Sequence, residues 1–193
     1  MGLTLLVAYG FYLHGLPALS VWHTARLGAE YTAGDADRIR TLADYRTNED
    51  RLFAQLGTEV YDQVPESEWL VLNRYSAGSL ADPRAIRPDW NRTVELPIAS
   101  PKGAVLLLHG LSDGPYSMRA LAQRLHAQGF HVVILRMPGC GTAPSGMLYV
   151  DWHDMAAAVR MAMRDLSTHL GPDVPITTVG YSTGAALAVG SPH

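Results

Sequence analysis

The chain holds 193 residues, enough for one domain with a modest appendage and too few for two full-sized domains. Hydrophobic residues make up 48% and charged residues 17%, a balance that folds around a core and excludes wholesale disorder. Fifteen basic against eighteen acidic side chains leave a net charge of −3 at pH 7, so the electrostatic footprint of a nucleic-acid binder is missing and no nucleic-acid partner is expected. The single cysteine, Cys140, rules out an internal disulfide and a thiolate metal cage, and leaves the redox compartment open.

From Leu3 to Trp22 no Asp, Glu, Lys or Arg occurs, and a helix of that length, at about 1.5 Å per residue, spans the roughly 30 Å of a bilayer's hydrocarbon. Within an apolar N-terminal segment, residues 1–27, this predicts membrane association through a single helix over residues 3–22. A cleaved signal and a soluble, core-docked segment (a cytoplasmic protein) are the alternatives. Gly10, His14, Gly15 and Pro17 weaken the helix, and no Lys or Arg precedes it as a signal's n-region requires. Met1-Gly2 fails as a myristoylation motif, because Leu6 stands where Ser or Thr is needed.

Residues 28–90 read as a helical and irregular extension with a linker. Thr47 to Asp50 has the form of a capping box ahead of Leu52, Phe53, Leu56 and Val60, and the charged residues of that helix are expected on its solvated face. Asp82-Pro83 and Arg87-Pro88 then break regular structure, which places the linker there.

From residue 91 to 193 the pattern changes. Asn91 to Leu96 alternates like a strand, and Ala104 to Leu108 is a short apolar run of the kind that forms a fully buried one. Met118, Leu121, Ala122 and Leu125 fall at helical spacing, with Gly129 as the stop. His131 to Leu135 repeats the apolar run. Asp151 caps a long helix whose predicted buried stripe is Trp152, Met155, Ala156, Val159, Ala162, Met163, Leu166 and Leu170, closed by Gly171-Pro172. Ile176 to Val179 is the third apolar run. Buried strands alternating with one-sided helices predict an α/β fold, a mostly parallel sheet covered by helices on both faces.

Chemistry in such sheets collects beyond the carboxyl ends of the strands. There stands Gly180-Tyr181-Ser182-Thr183-Gly184, a G-x-S-x-G pattern that is weak alone. Its place between a strand and the small-residue helix Ala185 to Val189 strengthens it. Ser182 is the candidate nucleophile, and Gly180 and Gly184 leave room for the turn. The oxyanion formed when a serine attacks a carbonyl needs two fixed backbone N–H groups, assigned to Thr183 and Leu111. His109 and Gly110 support the second loop, with His109 read as bonding that loop rather than as a metal ligand or base. His126, His131, His153 and His169 lack ligand spacing and read as surface or structural. The dinucleotide fingerprint G-x-G-x-x-G fails at Pro144, and neither cofactor nor metal is implied.

The runs from Leu106 to Ser117, from Arg136 to Gly141 and from Gly180 to Gly184 resemble the α/β-hydrolase superfamily. Within it they are similar to the monoacylglycerol-lipase-like group, also called serine aminopeptidase (S33)-like. The resemblance covers about residues 91–190 and implies a serine hydrolase of carboxylesterase or lipase type, forming an acyl-enzyme on Ser182 from a small-molecule ester. Relatives commonly carry histidine between the two glycines of the second run; Cys140 stands there and reads as a loop-packing residue.

The superfamily's order of Ser, then Asp or Glu, then His is incomplete. Only eleven residues follow Ser182, whereas one further strand-helix-strand unit needs roughly thirty. His193 lies too near in sequence to be the base. The expectation is an N-terminal part of a longer enzyme, truncated after the nucleophile elbow, inactive by itself and aggregation-prone at its open sheet edge. The alternatives are an acyltransferase, thioesterase or peptidase on the same fold, or a membrane-tethered, non-catalytic interaction protein.

Overall fold

The structure is a computed structural model and describes residues 2–15 and 18–190. The first helix, α1, covers Gly2–His14. Thirteen residues rise only about 20 Å, short of the roughly 30 Å of bilayer hydrocarbon. Among the described residues no helix is long and apolar enough to cross a membrane. The expected membrane helix over residues 3–22, and the localisation drawn from it, are therefore corrected. The helix ends where Gly15 donates its N–H to the Phe11 and Tyr12 carbonyls, each at 3.1 Å. Leu16 and Pro17 of that expectation lie outside the described residues, as do Met1 and His193.

After the short helix α2 (Val21–Thr24), helix α3 spans Leu42–Glu59. Its capping box is Thr41 with Asp44: the Thr41 hydroxyl accepts from the Asp44 N–H at 3.0 Å, and the Asp44 carboxylate accepts from the Thr41 N–H at 3.1 Å. The expected box at Thr47 to Asp50 lies inside the helix, with the Thr47 hydroxyl donating to the Ala43 carbonyl. Both tetrads have the same form. Burial of Leu42 and Tyr45 against the sheet selects the earlier one.

Among the described residues four strands form the sheet: β1 (Val94–Leu96), β2 (Ala104–Leu108), β3 (His131–Leu135) and β4 (Ile176–Gly180), in spatial order β1-β3-β2-β4. Strands β2, β3 and β4 run parallel, and β1 is antiparallel to β3. The strand expected from Asn91 begins only at Val94, because the Thr93 N–H donates to the Glu49 carboxylate rather than to a neighbouring strand. Strand β4 occupies an edge, so it is half-buried rather than a fully buried run, with Thr177 exposed.

Alternation along β2 and β3 divides the core. Val105, Leu107, Val132 and Ile134 pack with Met118 and Ala122 beneath helix α4 (Arg119–Ala127). Leu106, Leu108, Val133 and Leu135 face helix α5 (Trp152–Leu170) and meet Met155, Val159, Ala162 and Leu166. Tyr31, Ile39, Leu42 and Tyr45 complete that second cluster, so the residues before the sheet share its core. Asp151 caps α5 by accepting from the His153 and Asp154 N–H groups, and Gly171 ends it at φ 84°. Trp152, expected in the buried stripe, is 63% exposed: as the first helical residue it lies ahead of the turns that reach the sheet, its ring tilted against that of His153. Leu121 of α4 is likewise exposed.

The segment expected as a linker is folded. Buried Asp82 accepts from the N–H groups of Gly78 and Arg84 and pairs with the Arg84 side chain, which lies over the Tyr61 ring at 3.9 Å.

One charged cluster ties the extension to the sheet. Arg136, just past β3, is fully buried and donates from Nη1 and Nη2 to Glu30 at 3.0 and 2.9 Å, and from Nε to Glu49 at 2.8 Å. Glu49 also accepts from the Thr93 hydroxyl at 2.8 Å, and Glu30 from the Gly139 N–H at 2.9 Å. The charged face expected of α3 thus turns inward at Glu49, which is 1% exposed. Removing one partner strands buried charge. Glu49→Ala is expected to lower unfolding free energy by about 3 kcal/mol, read by urea titration, whereas a loss under about 1 kcal/mol would show that Glu30 alone suffices.

Candidate active site

Strand β4 ends at Gly180 and helix α6 (Thr183–Gly190) starts three residues later. Between them Ser182 adopts φ 53°, the left-handed region that side chains other than glycine seldom enter. The cause lies in its neighbours. A Cβ on Gly184 would sit 2.3 Å from the Leu108 carbonyl oxygen and 2.6 Å from that of His109, and one on Gly180 would sit 2.4 Å from the Gly184 carbonyl. Glycine at both places lets the first turn of α6 press on the end of β2, and the chain must reverse within Tyr181 to Thr183. The Ser182 carbonyl accepts from the Ala185 and Ala186 N–H groups, and the residue is exposed.

The loop after β2 meets this turn. Leu108 pairs with Gly180 in the sheet, and the Tyr181 N–H donates to the Leu108 carbonyl at 3.4 Å. Gly110 lies under the Tyr181 ring, where a Cβ would come within 2.8 Å of Cε2. The Tyr181 hydroxyl donates to the Asp113 carboxylate and lies 3.2 Å from the Ser117 hydroxyl, while the Gly114 N–H donates to the other Asp113 oxygen at 2.7 Å. Leu111 and Thr183 therefore stand on two loops that touch. Neither of their N–H groups donates to an acceptor among the described residues.

His109 is fully buried. Its Nε2 accepts from the Met137 N–H at 3.1 Å, which leaves Nδ1 to carry the proton and donate to the Gly110 carbonyl at 2.8 Å. Both ring nitrogens are engaged in holding the loop, and burial pushes its pKa below the ordinary histidine value, so it stays neutral. Cys140 is buried as well; burial raises its thiol to about 11, and its sulfur packs on Met147. His126, His131, His153 and His169 bond the Pro97 carbonyl, Glu95, Asp151 and Asp165 respectively. No histidine bonds Ser182 among the described residues, and no group of three or more His, Cys, Asp or Glu there could hold a metal.

A family described as Serine aminopeptidase, S33, matches residues 99–191. Over these residues the chain is similar to that family, and its fold is α/β-hydrolase-like. The matched region contains the turn at Ser182, the loop at Leu111 and the three parallel strands β2, β3 and β4. A solved structure reported under LipS and LipT, two metagenome-derived lipolytic enzymes, is similar at 30% identity over 52% of this chain, with a TM-score of 0.46. The chain spans 39% of that protein's length. No curated protein matches the chain.

Sequence reasoning missed the Tyr181–Asp113–Ser117 contacts and the Arg136 cluster behind the second loop. The only signal for the latter was a lone arginine following an apolar strand. His109 yields a pH prediction. Below about pH 6.5 the unfolded chain takes up a proton that buried His109 refuses, so its stabilisation is complete above that pH and is lost as pH falls through the lower folded pKa. The expected slope is at most about 1.4 kcal/mol per pH unit. Urea unfolding from pH 7.5 downward should show that slope reduced in His109→Asn, and an identical slope in the variant would contradict the assignment.

Proposed function

We propose that the protein is a serine hydrolase that cleaves small-molecule acyl esters through an acyl-enzyme on Ser182. The Ser182 Oγ adds to the ester carbonyl, and the carbonyl oxygen takes up negative charge between the N–H groups of Leu111 and Thr183. Collapse expels the alcohol and leaves Ser182 acylated; water then adds to the acyl carbon and releases the acid. The serine proton passes to a base and from it to the departing alcohol. In this reading that base, and the carboxylate that orients it, lie outside the described residues.

The observation that carries the reading is the pairing of a left-handed serine with two unpaired amides on touching loops. Backbone donors held in place before the reaction need no reorganisation as charge develops, and each contributes about 3 kcal/mol to the transition state. Their position beyond the carboxyl ends of parallel strands β2 and β4 supports the reading.

A fluorophosphonate probe tests this, because it forms a stable adduct through the same attack and the same oxyanion. With no histidine bonded to Ser182 among the described residues, the 193-residue polypeptide should label at least about a hundredfold more slowly than typical serine hydrolases, at Ser182 alone. Peptide mass spectrometry reads the site, and Ser182→Ala should abolish it. Labelling at another serine, or none after prolonged incubation, would overturn the assignment.

A further inference from the structure

Beside the loop after β2 lies a cavity of about 310 Å³. Ser112, Asp113, Gly114 and Tyr116 line one side of it, and Arg74, Ile86 and Trp90, all from the segment before the sheet, line another. Arg74 is the feature that calls for a ligand. It is the only basic side chain on that lining, and no carboxylate pairs with it among the described residues. Its one hydrogen bond is a long contact of 3.5 Å from Nη2 to the Gly141 carbonyl. Its Nε likewise has no acceptor among the described residues, so the guanidinium enters the cavity wall with its donors largely uncommitted.

The guanidinium is nonetheless held in place. It lies 5.5 Å from the centroid of Tyr75, whose ring is buried and whose hydroxyl donates to the Thr142 carbonyl at 3.1 Å. Asp113, the acidic group on the lining, has one oxygen engaged by the Gly114 N–H and the other by the Tyr181 hydroxyl. A ligand therefore meets one free cation and one carboxylate whose acceptors are already in use.

We propose that Arg74 recognises a carboxylate on the substrate, so that the preferred ester is the half-ester of a short dicarboxylic acid. A singly charged carboxylate matches the one guanidinium, in bidentate geometry, whereas a doubly charged phosphate would add repulsion from Asp113. Ser112 on the lining follows Leu111 in the chain, so in this reading the ester end of a molecule seated on Arg74 extends along that loop toward the Leu111 amide. Ile86 and Trp90 supply apolar walls for the methylenes between the two ends. The inference rests on the Ser182 reading for its second half only; the carboxylate site itself stands on Arg74 and the cavity.

Binding separates the two. In the Ser182→Ala chain, where turnover cannot consume the ligand, monomethyl glutarate is titrated by NMR against the uncharged ester in which an amide replaces its carboxylate. Monomethyl glutarate should bind at least about tenfold more tightly. Arg74→Gln should bring that ratio close to one, while Arg74→Lys, which keeps the charge and loses the bidentate fork, should retain part of it. Equal binding of the two esters to Ser182→Ala, or a preference that survives Arg74→Gln, would overturn the proposal. A preference that vanishes in Arg74→Gln alongside a wild-type chain that fails to label at Ser182 would confirm the carboxylate site and reject the hydrolase reading. Should Arg74→Gln not fold, the ratio in the Ser182→Ala chain and its reduction by Arg74→Lys still decide the matter.

Discussion

The first turn of α6 rests on the carbonyl oxygens that end β2, and this backbone contact governs the site. No side chain fits between the two, as the distances at Gly180 and Gly184 show. The parallel strands fix where β4 must stop, the helix must start almost at once, and the residue between takes a left-handed conformation. Strain of this kind costs on the order of 1 to 3 kcal/mol and persists only when the surroundings impose it. Here they do so from both sides. The same contact brings the loop after β2 against the turn, with Gly110 under the Tyr181 ring and Asp113 joined to the Tyr181 hydroxyl.

Behind the second loop stands a charge that cannot be left alone. A buried guanidinium costs several kcal/mol unless its hydrogen bonds are filled, and Arg136 fills them with Glu30, Glu49 and the Cys140 carbonyl. The carboxylates come from residues before the sheet, so the extension is bound to the end of β3 through the interior. Glu30 also holds the Gly139 N–H, and His109 accepts from Met137, which connects the loops after β2 and β3. The loop that carries Gly141 borders the cavity beside Leu111. Packing of the N-terminal residues thus reaches the site through hydrogen-bonded backbone.

Legibility in the sequence followed the physics of each feature. Strands β2 and β3 were readable to the residue because short apolar runs that stop at a polar residue, His109 and Arg136, have few other uses in a covered sheet. Helix α5 was readable because Asp151 and Gly171 mark its ends by local chemistry. The start of α3 was not, since two T-x-x-D tetrads lie six residues apart and only tertiary burial distinguishes them. Glu49 looked solvent-facing because helical period assigns charge outward, and its partner is 87 residues away. Uncharged length suggested a bilayer span where the helix stops at His14. At the site, flanking glycines announced the turn at Ser182. The unfilled donors of Leu111, Thr183 and Arg74 had no such sign, because an unmade hydrogen bond is a property of the assembled fold.

A crystal structure of the phosphonylated protein tests the central claim most directly, since the phosphoryl oxygen stands where the oxyanion would. The account predicts that oxygen within about 3 Å of both the Leu111 and Thr183 nitrogens, with Ser182 still left-handed. An adduct whose oxygen faces solvent, on a Ser182 relaxed to extended or right-handed backbone, would contradict it.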